Sequence, residues 1–526
     1  MGADTPVSLT SKEQWNTRES RLTAWAEKRF SAILLGISVF VLGALSFGLD
    51  RLPIVWVDEA TLNDAGRVLA ERGQLSADIF GRFNGFNEFY HWQPPGQSLT
   101  AALSYEILGF NIWATRIVPV LFVVATVFLA GITARRLGAS PIFALVVAGA
   151  ISFDPSLAST ARSGRMDAQA IFFLVFTVFV IASAPSPGRM RFVLPILGGV
   201  AGALAVLTHP AAIAFVIALG VSSFFIQLPI REFSGPFVLG GLIVAIPYLV
   251  WLLPYWSFVE LQFLTHGGSK VASPLDVGSW VTDTNNFVRG YFYSPIAILS
   301  LFAPFIAVLS WKSQNSRIRS VALATGFAFL VDFFLLDGSA GFYELYYVIP
   351  GYMILGVLGT QLWAHSSSPG HVRQLRKIGL VVIAILLLAW SLAVSHVQKA
   401  IVLVSQWDAR SYDQVQAAVD SIPLGCSITG SPTVWYAATQ SGRPYTYIGM
   451  GPDDLNSVYN PEEFDYLILP ENLSLEDFAG GVWDGRSERM GDFGVPLPKV
   501  FGLTLASGDY QLVVWKTDSR TACLQD

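Results

Sequence analysis

The chain has 526 residues, of which 53% are hydrophobic and 13% charged, with a formal net charge of −5. Soluble domains carry about a quarter charged residues, so this composition excludes a small soluble enzyme or a disordered scaffold and points to a polytopic membrane protein. The charge is split: from Ile401 onward there are 17 acidic and 7 basic residues, leaving 21 and 26 before it. An acidic tail on a mildly basic membrane body describes two domains in two solvents and argues against a nucleic-acid partner.

Residues 1–30 are polar and of mixed charge (Lys12, Glu13, Arg18, Glu19, Arg21), and no small-residue cleavage pattern follows the apolar run after them. Ser31–Leu49 is therefore expected to stay as a first span behind a cytoplasmic N-terminus. A hydrocarbon core about 30 Å thick takes about 20 apolar residues per helix, and about eleven such segments occur. They are Ser31–Leu49, Trp113–Thr133, Pro141–Ser159, Ala168–Ala184, Phe192–Thr208, Ala211–Leu228, Pro236–Leu253, Ser294–Trp311, Ser320–Leu336, Tyr347–Trp363 and Ile378–Val397. Every second loop carries cations: Arg135 and Arg136, Arg189 and Arg191, Arg231, Lys312 with Arg317 and Arg319, and Arg373 with Arg376 and Lys377. The positive-inside rule places those loops in the cytoplasm. With an odd number of spans, the tail then lies outside. The expected division is a membrane domain over 31–400, with a long first outer loop over 50–112, and an extracytoplasmic soluble domain over 408–526.

The first outer loop is far longer than a connection needs. Leu62, Ala65, Leu69 and Ala70 recur at helical spacing, with Asn63, Arg67 and Glu71 on other faces, which predicts a helix lying in the membrane interface and ended by Gly73. A second helix is predicted from Pro94-Pro95, carrying Leu99, Leu103 and Ile107, with an irregular loop over Gly81 to His91 between the two. In the tail, Tyr412 to Ile422 reads as a helix. Short strands are predicted at Gly425 to Gly430, Tyr466 to Leu469 and Tyr510 to Trp515, giving an α/β or α+β domain. The two cysteines, Cys426 and Cys523, both lie in this tail. They could pair in an oxidising compartment or stand as unrelated thiols.

On this topology the polar residues converge outside. Asp58 and Glu59 follow directly on the first span, where ionisable groups are costly and suggest a site; the plain alternative is a helix end. Arg162, Arg165 and Asp167 stand at the mouth of the fourth span, where Arg165 and Asp167 could form an ion pair and nothing more. Glu88, His91 and Gln93 precede Pro94-Pro95, His209 follows the fifth span, His266 and Lys270 share an outer loop, and Tyr346-Tyr347-Val348-Ile349-Pro350 opens a late span.

As a set these motifs resemble the membrane glycosyltransferases of the GT-C fold. The likeness is greatest to the branch with dolichyl-phosphate-mannose-protein mannosyltransferases and lipid A aminoarabinose transferases. The resemblance implies Asp58 as catalytic base, Glu59 as its neighbour, Asp167 as a second acid and Arg165 as the cation before it. It also implies a divalent metal at His266, although Trp92-Gln93 stand where the aminoarabinose branch has Glu-Lys before Pro-Pro.

The implied reaction moves a sugar, with inversion, from a polyprenyl phosphate to a lipid, glycan or protein hydroxyl on the outer face of a bacterial inner membrane. Such a reaction needs one base for the hydroxyl proton and cations for the leaving phosphate. Arg162, Arg165, Lys270, His91, Gln93, Tyr346 and Tyr347 are candidates to bind substrate there, with membrane lipids around them. A transporter or flippase of lipid-linked sugars is the alternative; it calls for paired half-structures with broken helices, and no repeat is visible. A non-catalytic receptor acting through the acidic tail is a third reading.

Overall fold

The computed structural model describes residues 11–184, 189–225, 233–264, 294–310, 314–335, 344–364, 371–447, 463–473, 487–495, 510–517 and 523. The membrane body is helical: α1 (Ser11–Ser46), α2 (Val57–Arg72), α3 (Gly96–Leu108), α4 (Ile112–Leu137), α5 (Pro141–Ser152), α6 (Pro155–Arg162), α7 (Asp167–Ser183), α8 (Met190–Thr208), α9 (Ala212–Phe225), α10 (Gly235–Leu252), α11 (Pro295–Leu309), α12 (Ser316–Leu335), α13 (Leu345–Ala364), α14 (His371–Leu392) and α15 (Gln398–Ser405). Each of the eleven apolar segments contains a helix. Among the described residues, six helices are long and apolar enough to cross a membrane, and seven if α5 and α6 count as one bent span.

That bend corrects the expectation of one straight span over Pro141–Ser159. The axis turns by 50° between α5 and α6. Pro155 cannot donate to the preceding turn, and the Asp154 carboxylate caps the new helix by accepting from the Leu157 N–H at 2.9 Å. The central helix α4 packs against α1, α5 and α7, while α8 crosses α10 so closely that glycine is required at the contact. A methyl group at Gly199 would strike the Phe237 carbonyl, and one at Gly240 would strike Ile196.

In the first loop, α2 departs from expectation. The polar face expected to be wet is covered: Glu59, Asn63, Asp64 and Arg67 are all buried. Arg67 is paired with the buried Asp64 (2.8 Å) and with Glu71 (2.6 Å) and Asp78 (2.8 Å), which reach the surface. Helix α3 keeps the apolar stripe, with Leu99, Leu103 and Ile107 exposed on successive turns, as an interfacial helix requires.

The chain beyond α15 folds as α16 (Asp413–Asp420), α17 (Trp435–Gln440) and a five-stranded sheet of β1 (Ile428–Gly430), β2 (Tyr445–Thr446), β3 (Tyr466–Pro470), β4 (Ser487–Phe493) and β5 (Leu512–Thr517). Strand order is β2-β1-β3-β5-β4; β1 runs parallel to β2 and β3, and β5 antiparallel to β3 and β4. Cys426 and Cys523 form a disulfide that ties the start of this region to its end. Its core is continuous with residues of the first loop, including Val55, Ala60, Phe80 and Tyr90.

Candidate active site

The site is built where α2 begins. Trp56 precedes the helix, and Asp58 lies in its first turn, where the amide ends favour a carboxylate. Asp58 forms an ion pair with Arg165 Nη1. The same guanidinium binds Asp167 Oδ2 through Nε at 2.8 Å and lies 5.6 Å from the Trp56 ring centre. Arg165 thus bridges the two acids. Asp58 stays about one third exposed (35%), whereas Asp167 is fully buried.

Gly164 sets the position of Arg165. Its φ of +64° suits glycine, and a Cβ there would lie 2.9 Å from Thr115 Cγ2. Its carbonyl accepts from Asn63 Nδ2 (3.0 Å) and Gln97 Nε2 (3.1 Å), so side chains of α2 and α3 hold the turn that presents the cation.

His209 closes the far side of Asp167. Its Nδ1 accepts from the Ala211 N–H at 3.1 Å, which leaves the proton on Nε2, 3.7 Å from Asp167 Oδ1. Burial pushes its pKa down to about 4; Arg165 adds to that and Asp167 opposes it. The imidazole is therefore neutral at pH 7. The Tyr346 ring stands 5.4 Å from it, so Tyr346 joins the site.

Other expected residues serve elsewhere. Glu59 does not share the site with Asp58: Arg116 Nε and Nη2 each donate to one of its oxygens at 2.7 Å, and both side chains are fully buried. Arg162, expected among the substrate ligands, has its donors on the backbone carbonyls of Leu45, Phe47, Gly48 and Leu52 and so caps the end of the first span. Tyr347 points into the core against Phe329, with ring centres 5.3 Å apart.

His91 is tied to α10 and to the chain beyond it, its backbone N–H donating to Gln262 Oε1 (2.7 Å) and its Nε2 sharing a bond with Tyr248 Oη of α10 (3.1 Å). Burial lowers its pKa to about 4. Gln93 is half-buried, and its Oε1 has no hydrogen-bond partner among the described residues. His266 and Lys270 lie outside the described residues. Among the described residues, the one His/Cys/Asp/Glu group close enough to share a metal is Cys426, Asp465 and Cys523, whose sulfurs are already bonded to each other. That set does not fit a metal.

The family model for dolichyl-phosphate-mannose-protein mannosyltransferase matches residues 81–264, a stretch that includes Arg165 and Asp167 and begins after Asp58. No curated protein matches the sequence. Among solved structures, the chain is similar to ArnT from Cupriavidus metallidurans bound to undecaprenyl phosphate, with a TM-score of 0.60 and 13% identity over 92% of this chain and 98% of that one. It is also similar to AglB from Archaeoglobus fulgidus in complex with an inhibitory peptide and a dolichol-phosphate (TM-score 0.54, 10% identity, 89% of this chain and 74% of that one). A third similarity is to the arabinofuranosyltransferase AftD from Mycobacteria (TM-score 0.53, 16% identity, 94% of this chain and 40% of that one). These are GT-C glycosyltransferases. The chain has the GT-C fold.

Within this GT-C fold the chain is an integral membrane protein. An apolar cavity of about 830 Å³ opens between α8, α9 and α10, lined by Val206, Phe237, Leu249 and Tyr248, the last being the partner of His91. Sequence reasoning missed Asn63, Gln97, Arg116 and Tyr436. Arg116 could have been flagged, because a cation four residues into an apolar helix demands a partner. Nothing in the tail marks Tyr436.

Proposed function

We propose that the chain is a membrane glycosyltransferase that moves a sugar from a polyprenyl phosphate to an acceptor hydroxyl on the extracytoplasmic side of the membrane, with inversion. The observation that carries this reading is the Asp58–Arg165–Asp167 line, placed at the start of a loop helix within a GT-C body. A partly exposed carboxylate beside a shared guanidinium offers the two groups the chemistry needs.

In the reaction, the acceptor oxygen forms a bond to the anomeric carbon as the bond from that carbon to the phosphate oxygen breaks. The hydroxyl proton passes to the Asp58 carboxylate, and the electron pair leaves with the polyprenyl phosphate. Arg165 faces the phosphate; its planar fork can bond two oxygens, and the incoming anion takes over part of its pairing with Asp58. Asp167 and neutral His209 keep the guanidinium in place. The apolar cavity beside Tyr248 suits the carrier's hydrocarbon chain. The C-terminal region packs against the start of α2, next to Asp58.

The test is transfer from a polyprenyl-phosphate sugar by the purified protein in lipid nanodiscs, wild type against Asp58→Asn. Loss of transfer with unchanged thermal stability is expected. Full activity in Asp58→Asn would overturn the base, and binding of the lipid sugar with transbilayer movement and no transfer would favour a flippase.

A further inference from the structure

The sheet region could be a separate module for the acceptor, yet one stretch of it grips the helix that carries Asp58. Three residues do so. Thr433 Oγ1 donates to the Val55 carbonyl at 3.0 Å, Trp435 Nε1 lies 3.3 Å from Asp64 Oδ1, and Tyr436 Oη lies 3.2 Å from Glu59 Oε1. These contacts fall just before α2, in its first turn and one to two turns further along.

The clasp is itself held rigid. Tyr412 Oη donates to the Thr433 carbonyl and accepts from the Ala437 N–H, both at 3.0 Å. Tyr105 Oη and Tyr436 Oη each lie 2.7 Å from Thr115 Oγ1. The Tyr436 hydroxyl proton is shared between the Glu59 carboxylate, which can only accept, and Thr115 Oγ1, whose own hydroxyl donates to the Asn111 carbonyl at 3.1 Å. Arg116 holds that carboxylate from the other side.

Successive residues of an α-helix are about 100° apart, so anchoring Glu59 and Asp64 leaves α2 no freedom to turn about its axis, and the neighbouring Asp58 is aimed at Arg165. Buried polar contacts of this kind set geometry more than they add stability. We infer that the C-terminal domain is a positioning element of the membrane site, with Tyr436 acting through Glu59 to aim Asp58. The inference concerns the geometry of α2 and rests on the proposed function only where turnover is the readout.

The test compares wild type, Tyr436→Phe, Glu59→Gln and the double variant in nanodiscs, with Gln440→Ala as control. Gln440 Nε2 donates to the Phe110 carbonyl at the same interface, a partner outside α2. Tyr436→Phe keeps the ring and its packing and removes only the hydroxyl. The expected result is a fall in kcat of roughly tenfold or more, the scale of one lost hydrogen bond to a charge, with the KM for donor and acceptor unchanged. Hydrogen exchange over residues 57–72 should quicken, and the double variant should fall no further than Glu59→Gln alone.

Wild-type kcat and exchange in Tyr436→Phe, or a fall no larger than in Gln440→Ala, would overturn the inference. If Tyr436→Phe does not accumulate, Thr433→Val is read in its place by the same measures. If the wild type transfers no sugar, the proposed function fails, and the exchange comparison still decides the clasp.

Discussion

Arg116 and Glu59 form a two-point ion pair, each bond 2.7 Å, with neither side chain reaching solvent. This pair joins the helix of the first loop to the second span, one residue from Asp58. Removing one partner strands a buried charge, which costs about 3–5 kcal/mol. Arg116→Ala and Glu59→Ala should each lower the thermal midpoint in detergent strongly, and the two losses should not add in the double variant. A small additive effect would show that the pair is not the tie described.

Arg165 should not tolerate lysine. An ammonium cannot span Asp58, Asp167 and a phosphate as the planar guanidinium does. Arg165→Lys is expected to raise the donor KM and lower kcat/KM by roughly 10- to 100-fold, the scale of one or two charged hydrogen bonds. Steady-state kinetics with a polyprenyl-phosphate sugar checks this, and wild-type kcat/KM would remove Arg165 from phosphate recognition.

Arg162 should behave oppositely. Its donors all meet backbone carbonyls at the end of the first span. Arg162→Ala is therefore expected to cost a few kcal/mol of stability by leaving buried acceptors unsatisfied, with the donor KM unchanged. A raised KM at unchanged stability would restore it as a ligand.

Acid should loosen this protein through its histidines. His91 and His209 titrate near 4 in the fold, chiefly through burial, against an ordinary 6.5. Between those values the unfolded chain binds protons that the fold refuses. Their contribution is therefore fully present above pH 6.5 and falls as pH drops through the window toward 4, by about 1.4 kcal/mol per pH unit for each group. Thermal midpoints measured from pH 7 to 4.5 should fall, and His209→Asn should flatten the curve; an unchanged slope in that variant would contradict the assignment. By the same balance, no activity limb belonging to His209 is expected near pH 6.5.

Much of the fold was legible in the chain, because lipid allows only a few solutions for a backbone: each apolar segment had to contain a helix, and each does. The bend at Asp154-Pro155 was hidden, since a continuous apolar run says nothing of direction. Asp58, Arg165 and Asp167 were legible as charges at the edge of an apolar body. The roles of Glu59 and Arg162 were not, because an acid or an arginine at such an edge looks the same whether it faces substrate or a buried partner. Polar residues on the faces of α2 suggested water there, yet a sheet folded from the far end of the chain covers them.

The sequence by itself determined the class of protein, the helical segments and the few charges that a membrane-edge site can use, all of which follow from the cost of placing polar groups in lipid. Only the tertiary structure decided how those charges divide. Arg165 serves Asp58 and Asp167, Arg116 takes Glu59, and Tyr436 arrives from more than 370 residues away in the chain to complete that pair. The reason is physical: pairing of buried charges depends on distances across the fold, and no local pattern records them.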